Sequence, residues 1–150
     1  DFFLFTAPIS KILNKFNIYL QKYFYLSGAL LFVSKTKFLE IGGFDEKMFM
    51  YCEEADITKR FLQKNYETSY RKDFHYQHLI DERSEAGEMS LKFLINSYKI
   101  YFSKFDFNYS GFMRRRIFTF KALMLFGKLF GNKQLHNKNL KYFEIFRKLQ

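Results

Sequence analysis

The pair Gly42-Gly43, followed at once by Phe44-Asp45-Glu46 and soon after by Tyr51-Cys52-Glu53-Glu54-Ala55-Asp56, constrains this chain more than any other feature. Glycine reaches backbone conformations closed to residues with a Cβ, so two in succession dictate a tight turn. That turn feeds a helix. Ile57, Phe61 and Leu62 recur at helical spacing, acids fill the first turn, and Lys59, Arg60 and Lys64 occupy later turns, a charge order that suits the helix dipole at both ends. Asp45, Glu46, Glu53, Glu54 and Asp56 thus bring five carboxylates into one turn-to-helix unit flanked by aromatic residues. Carboxylates so placed can take a proton from an incoming hydroxyl. Acids also favour a helix N-terminus for purely structural reasons, and Asp56 and Arg60 are four residues apart, the spacing of an ion pair on one helix face.

The rest of the chain alternates in character. A short amphipathic helix is expected over about 10–23, then a small, apolar, buried strand over 25–33 ending at Ser34, a good helix N-cap. A short helix should run from there to about Ile41, with Gly42 in the left-handed position that closes it. Asn65 stands where the helix from Glu53 must stop, 66–78 reads as extended chain, 81–89 as a polar loop, and Ser90 begins a helix to about Lys104. From Gly111 onward ten Lys and Arg face the single acid Glu144, interleaved with Phe and Leu, and two helices broken near Gly131-Asn132 are expected. The reading is an α/β core followed by basic amphipathic helices.

Four segments together resemble a known family: Ser27-Gly28-Ala29-Leu30-Leu31-Phe32-Val33, the Gly42-Gly43-Phe44-Asp45-Glu46 loop, Tyr51-x-Glu53-Glu54-x-Asp56-Ile57-x-x-Arg60, and the downstream His78. Their order and spacing are similar to the second half of a family-2 glycosyltransferase of the GT-A fold, of the bacterial rhamnosyltransferase-like kind that builds cell-surface polysaccharide. The likeness covers about residues 25 to 85. It implies an α/β fold comprising the acceptor-side half of a GT-A domain over 1–105 and a basic amphipathic helical tail over 106–150. It also implies that the strand carrying the family's metal-binding Asp-x-Asp belongs to a first half this chain lacks, so the chain is expected to be a fragment, inactive alone.

By the same resemblance Glu54 takes the place of the family's catalytic Asp and is the candidate base, with Glu53 beside it as the positioning carboxylate. Glu is one methylene longer than Asp, a shift of about a bond length at the carboxylate. Asp56, Asp45 and Gly28 are implied on the acceptor side of the cleft, Gly28 by letting the backbone approach the sugar and Asp45 also by steadying its loop through local backbone hydrogen bonds. His78 is implied as a ligand completing the coordination of a divalent metal, Mn or Mg; His75, three residues away on an extended chain, falls on the other face. The reaction implied is inverting transfer of a sugar from a nucleoside diphosphate sugar to a glycan or lipid-linked glycan acceptor.

Charge and composition bound the partners. With 25 Lys and Arg against 15 Asp and Glu, the net charge of +10 attracts polyanions. A second class of function is therefore a non-catalytic basic module binding an anionic membrane or nucleic acid through its tail. Nucleic acid is not expected, because the Phe residues crowd helical segments instead of alternating along strands as a stacking platform would. An anionic membrane surface is the expected partner, with the protein in the cytoplasm at the inner face of the cell membrane. The 22 Phe and 11 Tyr without Trp also fit an A/T-rich genome. The lone Cys52 excludes an internal disulfide and behaves most simply as a small hydrophobe.

Overall fold

The computed structural model describes residues 12–13, 15–16, 18–25, 30–71, 73–74 and 87–149. Five helices lie among them: α1 (Lys35–Glu40), α2 (Glu53–Gln63), α3 (Glu88–Lys104), α4 (Tyr109–Leu129) and α5 (Lys133–Lys148). The described residues contain no strand. Of the expected strand over 25–33, residues 26–29 lie outside them, as do Gly28, His75 and His78. Tyr66 to Arg71 runs without regular structure, where extended chain is expected.

Two compact units divide the chain, Asp1–Arg83 and Ser84–Gln150. The division precedes the 105/106 boundary read from sequence, because α3 packs with the tail helices. Leu91, Ile95 and Phe102 of α3 join Phe112, Met113 and Phe120 of α4 and Phe146 of α5 in one buried cluster. Aromatic rings lock it, with Phe102 and Phe112 at 4.6 Å and Phe120 edge-on to Phe146 at 5.1 Å. Pairs of this kind add about 0.5–1.5 kcal/mol each beyond the area they bury.

Four helices end alike. The residue after the C-cap of α1, α2, α3 and α4 is Gly42, Asn65, Asp106 and Gly131 respectively, each at positive φ. The next amide in each case returns to the helix: Gly43 to the Phe38 carbonyl, Tyr66 to Phe61, Phe107 to Phe102 and Asn132 to Gly127, at 2.8–2.9 Å. This is the Schellman arrangement, which satisfies carbonyls a helix end would otherwise strand. Asn108 and Asn132 then cap α4 and α5, accepting from the Gly111 and Leu135 amides at 2.7 and 2.9 Å.

At the α4–α5 hairpin the backbones meet. A Cβ placed on Gly127 would stand 2.8 Å from the His136 nitrogen and 3.0 Å from the Asn132 carbonyl oxygen, and His136 Nδ1 lies 3.0 Å from the Met124 carbonyl oxygen. Gly127→Ala is therefore expected to destabilise the hairpin by about 1–3 kcal/mol, because the obstacle is backbone and α5 must shift to admit a methyl group. Thermal melts followed by helical circular dichroism test this; an unchanged midpoint would show that α5 yields freely.

In the first unit Ile57 and Phe61 of α2 are buried together with Met48 of the preceding loop. The helix expected over 10–23 is not continuous: residues 12, 13 and 15 are helical, whereas 18–20 are irregular and 21–23 form a turn. Long-range hydrogen bonds hold this segment away from helix. Gln21 donates to the Tyr66 carbonyl at 2.9 Å and accepts from the Thr68 amide at 3.0 Å, while the Tyr19 hydroxyl accepts from Thr68 at 3.1 Å.

Candidate active site

The acidic turn is assembled by two devices. The first is Arg60, whose Nε donates to Asp56 Oδ2 at 2.8 Å, whose Nη2 meets the same oxygen, and whose Nη1 donates to the Ile41 carbonyl at 2.5 Å. The i,i+4 pair expected from the sequence thus forms, and it also reaches across to the end of α1 just before Gly42. Asp56 is 0% exposed. Its placement is that of a residue fixing the loop.

The second device is backbone strain. Seven described residues have positive φ, and four of them are the helix-terminating residues above. The other three, Gly43, Tyr51 and Cys52, all lie in the loop leading into α2. Tyr51 at φ 71° and Cys52 at φ 66° are consecutive residues with side chains, a conformation that disfavours each by about 1–3 kcal/mol and persists only where surrounding structure enforces it. The kink aims the first turn of α2, where Cys52 takes the N-cap position with no side-chain hydrogen bond. Asp45 steadies the same loop, its Oδ1 accepting from the Lys47 amide at 3.2 Å and its carbonyl from the Met48 amide at 2.9 Å, the local role expected of it. Phe44 stacks edge-on against Phe38 at 5.2 Å.

Glu53 and Glu54 stand where this kink delivers them. A cleft of about 520 Å³ is lined by both, with Lys35, Phe38 and Phe44. A second cleft of about 230 Å³, lined by Lys37, Thr58, Tyr66 and Thr68 among others, also has Glu54 in its wall. Glu54 therefore borders both spaces. Glu53 Oε2 is buried without a hydrogen-bond partner among the described residues. A buried acceptor so left calls for a donor from water or a ligand, since an unmade hydrogen bond there costs about 1–3 kcal/mol.

Two neighbours were not marked by the sequence pattern. Tyr25, assigned there to a strand, is 58% exposed as a residue, and its phenol is pushed up by burial first and then by the charges of Cys52, Glu54 and Glu53. Lys35 brings a cation into the larger cleft. Neither carries a spacing signal, because both reach the site from separate segments of the chain.

Burial, then Glu53, Glu54 and Asp56, push the Cys52 thiol from 9.0 up to about 12. A raised acid of this kind stabilises the fold fully below its unfolded value, and that contribution fades as pH climbs from about 9 towards 12. At pH 8 the folded thiol should react with iodoacetamide about a hundredfold or more slower than in the urea-unfolded chain, because the thiolate is the nucleophile. Equal rates would show that neither burial nor the neighbouring acids hold the thiol protonated.

Among the described residues no three His, Cys, Asp or Glu side chains are grouped to hold a metal ion. His78, the implied ligand, lies outside them. The described acids do not by themselves make a metal site.

Over 36 residues, 24% of the chain, the sequence is 47% identical to N-acetylglucosaminyl-diphospho-decaprenol L-rhamnosyltransferase from two strains of Mycobacterium tuberculosis. The matched stretch spans 12% of the length of those proteins. No protein-family model matches the chain, and no solved structure matches it. The likeness is short, and it is to a glycosyltransferase.

Proposed function

We propose that this chain is the acceptor-side half of a GT-A glycosyltransferase of family 2, whose complete form moves a sugar with inversion from a nucleoside diphosphate sugar to a glycan or lipid-linked glycan at the cytoplasmic face of the cell membrane. The observation that carries the reading is the pair Glu53 and Glu54 in the wall of one cleft, with a buried Glu53 oxygen that lacks a donor among the described residues. The short likeness to a rhamnosyltransferase points the same way.

In this reading the acceptor hydroxyl donates to Glu54, which takes its proton as the oxygen attacks the anomeric carbon from the face opposite the leaving group. The new carbon–oxygen bond forms as the bond to the diphosphate breaks, and the nucleoside diphosphate departs with the electron pair. Glu53 accepts from another hydroxyl of the acceptor and holds it in line, a contribution of position rather than of chemistry. Lys35, in the same cleft, favours an anionic partner. Divalent Mn or Mg belongs to the proposal through the resemblance alone.

The test is transfer by the full-length protein from nucleoside diphosphate sugars to a lipid-linked glycan, with the anomeric configuration of the product read by NMR. An inverted linkage made by the wild type and lost in Glu54→Gln supports the reading. Retention of configuration, or no transfer from any such donor, overturns it.

A further inference from the structure

Helix α4 keeps one long face uncovered by the helical unit. Phe112, Met113, Phe120 and Gly127 are buried on its inner side. On the outer side Phe118, Leu125 and Leu129 are 66%, 58% and 71% exposed. Intervals of seven and four residues put these three on a single stripe. Directly beside it run Arg114, Lys121 and Lys128, spaced by seven and all exposed. At the hairpin end Phe126 and Phe130 lie ring to ring at 4.3 Å and stay open to solvent. No Asp or Glu occurs between residues 107 and 143.

We propose that this face of α4 docks flat on an anionic lipid bilayer, with Phe118, Leu125 and Leu129 at the acyl boundary and Arg114, Lys121 and Lys128 against the headgroups. The placement of the cations decides the geometry. They follow the whole length of the helix instead of clustering at one end, so the axis lies along the surface. No helix of the described residues is long and apolar enough to cross a membrane, which also suits a helix lying in the interface. A row of aliphatic and aromatic side chains beside the cations favours lipid over nucleic acid, whose phosphates would be met by cations and polar groups on both sides of the row. This inference rests on the helical unit alone and stands apart from the sugar-transfer reading.

Flotation of the full-length protein with vesicles of phosphatidylcholine, alone or mixed with phosphatidylglycerol, tests it. Lys121 also lies over the Phe143 ring at 5.4 Å, so the charge variant is better placed at the other two cations. Arg114→Gln with Lys128→Gln should weaken partition onto the acidic vesicles about 25-fold, at about fivefold per cation, and added salt should shrink the difference. Leu125→Ser with Leu129→Ser should weaken it by roughly tenfold or more while helical circular dichroism stays unchanged, since both side chains are exposed. Partition indifferent to lipid charge, or equal partition by either double variant, overturns the proposal. So does absence of vesicle binding, whether accompanied by binding to duplex DNA through the same cations or by self-association that the Leu pair abolishes.

Discussion

Glu54→Gln is expected to lower the proposed sugar transfer by about two to four orders of magnitude, with donor binding retained, the range seen when a positioned base is removed. The substitution keeps the shape of the side chain and removes its capacity to accept a proton. Glu54 borders both of the clefts described above, whereas Glu53 lines only the larger of the two. Glu54→Asp keeps the base and shortens its reach by one methylene, and its turnover should fall between wild type and Glu54→Gln. Glu53→Gln should act mainly on acceptor KM. Turnover of Glu54→Gln within about threefold of wild type would remove Glu54 from the chemistry, since that is far below what a general base contributes.

Asp56→Ala is expected to destabilise the first unit by about 3–5 kcal/mol, the loss that follows when one member of a buried ion pair is removed. The Arg60 side chain is 13% exposed and Asp56 only 1%, so the stranded guanidinium has little access to water. Its grip on the Ile41 carbonyl depends on Asp56 holding it from below, and with that grip the Gly42-Gly43 turn loses its anchor. Urea denaturation of the variant measures the loss directly. Replacing both partners, Asp56→Leu with Arg60→Met, should restore much of the stability, because an apolar pair fills the space even though it no longer ties α2 to the loop. A loss under about 1 kcal/mol for Asp56→Ala would mean that the pair behaves as a surface bridge.

What the sequence makes legible here is mostly local. Gly42 closing α1, Asn65 closing α2 and the break at Gly131-Asn132 follow from residues that tolerate positive φ, and all three adopt it or flank a residue that does. The Asp56–Arg60 pair follows from spacing on one helix. The left-handed pair Tyr51-Cys52 leaves no such trace, since neither residue favours that conformation and only the surrounding packing enforces it. Residues 18–23 read as helix by their apolar spacing, but Tyr19 and Gln21 find partners at Thr68 and Tyr66, and those long-range bonds prevail. Tyr25 near the acids escapes a reading by motif for the same reason: its neighbours are more than twenty-five residues away in sequence. Asp45 and Glu53 to Asp56 stand in one unit as expected, whereas Gly28 and His78 lie outside the described residues.

The separation of those partners sets a timetable for folding. In the helical unit the α4–α5 hairpin joins residues that are close neighbours in the chain, as His136 is to Met124 at a separation of 12. In the first unit Gln21 and Tyr19 must find Tyr66 and Thr68 across separations of 45 to 49. Closing the longer loops carries the larger entropy loss before any contact rewards it, and rates fall as contacts become less local. The α4–α5 hairpin should therefore form early, while the acidic turn takes its final shape late, once residues 19–21 have closed over 66–68.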